Sequence, residues 1–546
     1  VTLDVPPTFG AALMRAAAQW PDQEAFVCDG IRLTFRDLAD GARRTAAALL
    51  ARGVRRGDHV AICMGNSATW LTLFYANALI GAVTVPVNTR FKPAELQYCL
   101  GQSDSVLLAT ADRFLDKIDF LAMLREIEPA IDQTLPGAAL PRLRVVIVQG
   151  GVVPRGAIGY GAFQGQAATG CATVDRAAVA RAAAEVRPDD AVLIQYTSGT
   201  TSFPKGALLS HANMLRDAAS VAARIGVRPG DRYFSARPFY HVAGTTLSIL
   251  VALSAGACLL TTPSFDAGEA LRIMAHERCT LVSGNDTMFL MMMNHPAFDR
   301  AKLVLRGGWG AAGPEVMRQI MSGMGARELC FAYGLSEASP NVVMSAYDEP
   351  AELRAAGLAL PHDGIALRIV GEDGHDQPPD QPGEILVRGW NVMQGYYNMP
   401  EQTAQAIDRD GWLHTGDLGA LTSDGRLRFI GRLKDMFRVG GENVAPADIE
   451  EVLHAHPQVE HAQVIGVPDP RLGEVAAAYV RLTEGARAEP AALIAWCRER
   501  CANFKVPRYL KIVDSFETLG MTGSAKVQKT RLRAQALIDF GLAENG

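Results

Sequence analysis

Short apolar runs alternate with amphipathic stretches of helical length over most of this chain, and few architectures accept that alternation. His59-Val60-Ala61-Ile62-Cys63 and Ala82-Val83-Thr84-Val85-Pro86-Val87 read as strands, with a helix predicted between them over Ser67–Leu79. Ahead of them, Phe9–Trp20 is amphipathic, and Ala25–Cys28 with Arg32–Phe35 forms a hairpin around Asp29-Gly30. Leu38–Ala51 is an alanine- and leucine-rich helix that stops at Gly53. The order βαβα predicts an α/β fold of doubly wound sheets. Residues 210–345 repeat the alternation, with buried strands at Ala257–Thr261 and Leu281–Ser283. Met288–Met293 starts a helix whose methionines suit core packing.

The chain has 546 residues, too many for one core, so two to four domains are expected. Over about 362–430 the pattern becomes strand- and turn-rich: Ile365–Val370, Gly383–Val387 and Arg426–Ile430 are separated by turns such as Glu372-Asp373-Gly374. This predicts a small β-barrel-like subdomain. After Gly431-Arg432-Leu433-Lys434-Asp435 the pattern changes again. Helices over Ala445–His456 and Pro490–Cys501, with strands at Ala462–Val467 and Val475–Leu482, predict a small α+β domain. The expected division is 1–433 and 434–546. Residues 150–172 are rich in Gly, Ala and Gln and lack a period, as a surface excursion would.

Net charge is −5 without a block of like charge, which argues against a nucleic-acid surface. Hydrophobic residues at 49% and charged residues at 20% fit a soluble enzyme acting on small molecules. The nine cysteines include no C-x-x-C, so neither a disulfide framework nor a zinc ribbon is expected. Cys497 and Cys501 share a helical face, which alone is weak evidence for a metal. Val1–Pro7 lacks the regions of a signal peptide, and no apolar run is long enough to span a membrane, so a reducing cytoplasm is expected.

One stretch carries concentrated chemistry: Tyr196-Thr197-Ser198-Gly199-Thr200-Thr201-Ser202-Phe203-Pro204-Lys205-Gly206, directly after the apolar run Ala191–Ile194. Hydroxyls, backbone N–H groups and one lysine suit a polyanion, most simply a nucleotide triphosphate. It is not a Walker A loop, because Lys205 precedes Gly206 and follows a proline. A helical pattern begins near His211.

Four further stretches follow in order: Ala332-Tyr333-Gly334-Leu335-Ser336-Glu337, Gly411-Trp412-Leu413-His414-Thr415-Gly416-Asp417, Gly431-Arg432-Leu433-Lys434-Asp435, and Thr522-Gly523-Ser524-Ala525-Lys526-Val527. With the first loop they resemble the adenylate-forming superfamily, which includes acyl-CoA synthetases, peptide-synthetase adenylation domains and firefly luciferase. The resemblance covers almost the whole chain and is closest to the acyl-CoA synthetase branch.

The resemblance implies a role for each motif. Thr197, Ser198, Gly199, Thr200, Thr201 and Lys205 would hold the β- and γ-phosphates of ATP. Thr201 and Glu337 would serve Mg2+ and take part in catalysis. Tyr333 would stack on adenine, with Ala311, Ala312 and Gly313 as the backbone wall of that pocket. Ala332, Gly334, Ser336 and Phe429 join them as nucleotide positions. Asp417 would accept the ribose hydroxyls, and Arg432 would contact ribose or phosphate. Lys526 would be the catalytic lysine of a mobile small domain, with Lys434 at its hinge. Gly440, Gly441 and Glu442 would line the channel for the thiol of coenzyme A, the alternative for the glycines being an ordinary turn.

The implied reaction joins a carboxylate to ATP, giving an acyl-adenylate and pyrophosphate, and then transfers the acyl group to CoA with release of AMP. His241, Asn285, Trp309, Gly310 and Gly334 fall at the acyl site, where His241 could contact the carboxylate. Trp309 at a position where a smaller residue is frequent favours a short or medium-chain, alicyclic or aromatic acid over a long tail. Asn285-Asp286 replaces a common Val-Pro pair; Asn285 either bonds a polar substituent or caps the next helix. Gly520 and Ala525 also depart from the family, which usually has proline and glycine there. An amino-acid substrate is disfavoured, because no aspartate occurs between Pro238 and Gly244. The expected partners are a small carboxylic acid, ATP and CoA, with no nucleic acid and no integral membrane, in a monomer or homodimer. Two alternatives stand beside this: a ligase that passes the adenylate to a carrier protein or to oxygen, and a non-catalytic nucleotide binder.

Overall fold

The computed structural model describes residues 4–115, 117–165, 176–197, 204–521 and 527–542. The chain forms two compact units, each assembled from separated stretches: Val1–Asp266 with Gly334–Asn341 and Gly389–Gly411, and Ala267–Tyr333 with Val342–Arg388 and Trp412–Gly546.

The first unit carries a sheet in the order Gly395–Tyr396, Lys205–Ser210, Ala191–Thr197, Val83–Pro86, His59–Cys63, Leu107–Ala111, Val145–Gln149 and Ile158–Gly159. From Ala191–Thr197 to Ile158–Gly159 the neighbours are parallel. Their apolar side chains are buried because helices cover such sheets on both faces. Ala68–Leu79 starts at a Ser67 cap and is buried at every position from Trp70 to Leu79. The hairpin at the N-terminus forms as Glu24–Cys28 against Ile31–Thr34, and positive φ at Asp29 (50°) and Gly30 (74°) suits its two-residue turn. The second strand stops at Thr34 rather than Phe35. Thr34 and Asp37 cap each other's end of a helix that starts at Phe35, so the helix claims the phenylalanine.

Lys205–Ser210 is a strand that the sequence reading did not anticipate. It pairs antiparallel with Ala191–Thr197, which places the phosphate-loop motif at a hairpin connection and not in a direct strand-to-helix turn. The helix follows at His211–Arg224.

In the second unit, Leu281–Asn285, Gly307–Ala311 and Glu328–Gly334 run parallel. The subdomain expected over about 362–430 is a five-stranded sheet ordered Leu358–Ala359, Leu427–Arg432, Leu413–Leu421, Gly383–Gly389 and Ile365–Val370. The C-terminal strands Val459–Asp469 and Gly473–Leu482 form a long antiparallel pair, and Tyr509–Ile512 joins it in parallel. Phe437, Val444, Ile449, Leu453, Val464, Tyr479, Leu493, Leu532 and Ala536 share one hydrophobic core there. The C-terminal segment thus buries its own apolar surface, as an independent domain must. None of the eight cysteines among the described residues is in a disulfide. No helix among the described residues is long and apolar enough to cross a membrane.

Candidate active site

In the first unit, Thr197 ends one strand and Lys205 opens its antiparallel partner, directly opposite. Ser198, Gly199, Thr200 and Thr201 lie between them, outside the described residues. The Thr197 hydroxyl lies 3.5 Å from both the Lys205 carbonyl and Oε1 of Glu337. Glu337 sits on the short 3-10 turn Ser336–Ala338. Its backbone carbonyl accepts from Met393 N–H at 2.8 Å, and its Oε1 accepts from the Tyr396 hydroxyl at 2.9 Å. Lys205 Nζ lies 5.0 Å from the centre of the Tyr396 ring. At the start of the strand that follows, Asn341–Met344, Asn341 N–H donates to Oδ2 of the fully buried Asp217 at 2.9 Å. Burial pushes the Asp217 carboxyl well above the usual range. Thr197, Lys205 and Glu337, separate in sequence, are therefore brought together, and Tyr396 and Asp217 are additions that motif reading missed.

This donor set fits Mg2+. Glu337 is a half-exposed carboxylate, and no group of three His, Cys, Asp or Glu side chains suited to a metal occurs among the described residues. One carboxylate is what a magnesium ion needs when phosphate and water supply its remaining oxygens.

In the second unit, Tyr333, Asp417, Phe429 and Arg432 converge. Asp417 and Arg432 are cross-strand partners. Asp417 is 7% exposed; its Oδ2 accepts from the Tyr333 hydroxyl at 2.8 Å and its Oδ1 lies 3.7 Å from Arg432 Nε. Burial first, then the Asp417 charge, pushes the Tyr333 phenol far up, so it remains a proton donor. The Tyr333 ring stacks on Phe429 with centres 5.0 Å apart and planes at 26°. A base stacking on Tyr333 takes its other face or displaces Phe429. Ala332 is buried beside Tyr333, whereas Ala311, the exposed last residue of a parallel strand, is followed by half-exposed Ala312 and exposed Gly313.

The acyl positions are placed as follows. His241 is half-buried, and its Nδ1 accepts from Ala243 N–H at 3.1 Å. The segment before it is held by buried Asn66, which accepts from Phe239 N–H at 2.7 Å and donates to the Arg237 carbonyl at 3.0 Å. Asn285 Oδ1 accepts from Met288 N–H at 3.0 Å and caps helix Asp286–Met293, so the capping role left open by the sequence is filled. Trp309 is 2% exposed, and a Cβ at neighbouring Gly310 would meet Met317 Sδ at 3.0 Å. Lys434 is exposed on the turn Leu433–Asp435. Gly440 and Gly441 take φ of 59° and 94° between paired Val439 and Glu442, so the hairpin turn itself requires them. Lys526 and Ala525 lie outside the described residues. Gly520 takes φ of 98°, which proline cannot adopt, so its departure from the family has a conformational reason.

The AMP-binding enzyme family matches residues 13–397, and the AMP-binding enzyme C-terminal domain matches residues 448–526. A 3-[(3aS,4S,7aS)-7a-methyl-1,5-dioxo-octahydro-1H-inden-4-yl]propanoyl:CoA ligase of Mycobacterium tuberculosis is 38% identical over 96% of this chain and 98% of its own length. The mitochondrial medium-chain acyl-CoA ligase ACSF2 of Bos taurus is 34% identical over 97% of this chain and 87% of its own. The fold matches the anthranilate CoA ligase AuaEII in complex with anthranoyl-AMP, with a TM-score of 0.85, 24% identity, and 98% of each chain covered. On this likeness and the convergent motifs, the chain belongs to the AMP-binding enzyme family, in the acyl-CoA synthetase branch of the adenylate-forming superfamily.

Proposed function

We propose that this acyl-CoA ligase activates a short or medium-chain, alicyclic or aromatic acid. The observation that carries the nucleotide assignment is the Tyr333–Asp417–Arg432 cluster, an oriented carboxylate beside an aromatic ring and a cation. Asp417 accepts the ribose hydroxyls. Lys205 and the hydroxyl-rich loop after Thr197 hold the pyrophosphate end. Glu337, with Thr201, holds Mg2+, which when bound neutralises phosphate charge. Lys526 reaches the attacking carboxylate and the α-phosphate together. That contact relieves their repulsion as the acyl–phosphate bond forms and pyrophosphate leaves. Residues 434–546 then move about Lys434, and the thiol enters along Gly440, Gly441 and Glu442 to displace AMP.

The acid class follows from Trp309, a large buried side chain among the acyl positions. Relatives named for a medium-chain acid and for a bicyclic propanoate support the same range. A cytoplasmic monomer or homodimer completes the reading. The test is a pyrophosphate-release screen over short, medium, alicyclic and aromatic acids, followed by CoA-dependent release of AMP. Turnover with long-chain acids alone would overturn the proposed class. Acyl-AMP that free CoA does not discharge would favour a carrier-protein acceptor instead.

A further inference from the structure

The two-residue strand Gly395–Tyr396 closes the edge of the first unit's sheet against Lys205–Ser210. Tyr396 stands opposite Ala207, and Tyr397 N–H donates to the Gly206 carbonyl at 2.8 Å. Tyr396 N–H is taken by Thr403 Oγ1 at 2.9 Å. The backbone of this tyrosine is therefore fixed directly beside the end of the phosphate-loop motif.

Its side chain touches two charged groups of that site. The hydroxyl donates to Glu337 Oε1 at 2.9 Å, and Lys205 Nζ lies over the ring at 5.0 Å from its centre. Burial, reinforced by the Glu337 charge, pushes the phenol far above its ordinary pKa, so it stays a donor. Thr197, the other hydroxyl near Glu337, also approaches Oε1. Among the described residues no side chain donates to Oε2. Tying one oxygen from the protein side fixes the rotation of the carboxylate and presents the other oxygen.

We propose that Tyr396 is the positioning residue for the divalent cation and the terminal phosphates. Its hydroxyl turns Glu337 so that Oε2 faces the cation, and its ring steadies the Lys205 ammonium by a cation–π contact. The inference rests on the nucleotide reading above, in which Glu337 serves the cation and Lys205 the phosphates. Groups that orient a metal ligand typically control metal affinity by about ten- to a hundredfold.

The test uses the full chain with Mn2+ as probe and a non-hydrolysable ATP analogue, reading free Mn2+ by electron paramagnetic resonance. Tyr396→Phe removes only the hydroxyl. It is expected to weaken Mn2+ binding about tenfold or more, while leaving unchanged the affinity for the analogue without divalent cation. In turnover, the Mg2+ concentration for half-maximal rate rises by a similar factor and KM for the acid stays constant. Tyr396→Leu removes the ring as well, and is expected to weaken the metal-free analogue too. Mn2+ affinity of Tyr396→Phe within twofold of the parent would overturn the proposal. So would equal loss of metal-free analogue binding in both variants, which marks a purely structural role. Glu337→Gln separates the two levels of inference. If it binds Mn2+ with the analogue as tightly as the parent, the nucleotide reading falls with the proposal. If it binds weakly while Tyr396→Phe does not, only the role of Tyr396 falls.

Discussion

The Tyr333 hydroxyl donates to Oδ2 of Asp417 at 2.8 Å, while Arg432 faces Oδ1 of the same carboxylate at 3.7 Å. Two neighbours thus orient an almost buried carboxylate before any ribose arrives. Asp417→Asn keeps the shape but replaces one acceptor by a donor, so it cannot accept two ribose hydroxyls. Hydrogen bonds to a charged acceptor contribute about 1.5–3 kcal/mol each. KM for ATP is therefore expected to rise by roughly ten- to a hundredfold, with weaker discrimination between ATP and 3′-deoxy-ATP. Steady-state pyrophosphate release with both nucleotides measures this. An unchanged KM would remove Asp417 from the nucleotide site.

Gly334 opens the turn that carries Glu337, and the space beside it is already filled. A Cβ there would lie 1.9 Å from the Pro340 carbonyl oxygen, which accepts Leu335 N–H at 2.9 Å. Gly334→Ala must displace the turn. The expected cost is about 1–3 kcal/mol of stability, the usual scale of overpacking, together with loss of adenylation through the shifted Glu337. Gly151→Ala is the control, because a Cβ there meets nothing within 4 Å. Thermal midpoints and adenylation rates of the two variants should diverge; equal behaviour would show that the turn relaxes freely.

Some of this site is legible in the sequence because its residues are close covalent neighbours. Tyr333 and Glu337 lie in one motif, and strands such as His59–Cys63 are self-contained apolar runs whose burial follows from composition. Lys205–Ser210 escapes because its apolar core is only Ala207-Leu208-Leu209 and runs straight into the helix beginning at His211. Tyr396 escapes for a different reason. Its meaning lies in a hydrogen bond to a residue 59 positions away, and the strand that places it has two residues. Asp217 is in no motif: it is fully buried, and its partner Asn341 lies 124 positions away at the start of the strand after the Glu337 turn. Asn285 shows the opposite case: the sequence offered two roles, and a single hydrogen bond to Met288 N–H assigns the cap.

His211 ties acid sensitivity to the packing of the first unit. It is fully buried; its Nδ1 accepts from Phe9 N–H at 3.2 Å, and its ring meets Phe9 edge-on at 4.8 Å. Burial lowers its pKa from 6.5 to about 4, against a weaker opposing pull from Asp190. Because the folded pKa is depressed, the unfolded chain binds the extra proton between pH 6.5 and 4. The stabilisation is therefore complete above pH 6.5 and is lost as pH falls toward 4, up to about 3 kcal/mol. His211→Gln should lower stability at neutral pH yet flatten this slope. Urea midpoints of both proteins at pH 7 and pH 5 test it, and parallel shifts in the two would remove His211 as the source.

Lys526 is the charge on which the two half-reactions should separate. In the first, a carboxylate approaches an anionic α-phosphate, and a cation touching both stabilises charge that develops only in the transition state. In the second, the adenylate is already formed and a thiol attacks its carbonyl, so that stabilisation has no target. Lys526→Ala is expected to slow adenylation by roughly two to three decades and to spare thioester formation from supplied acyl-AMP. Lys434→Pro should do the reverse. Proline fixes φ on the turn where the small domain is proposed to pivot, so it would hold one orientation and slow the thiol step. Single-turnover assays of each half-reaction, run on both variants, distinguish the roles. Equal loss in both halves for Lys526→Ala would mean that the lysine supports the fold of its domain and not the attack on phosphorus.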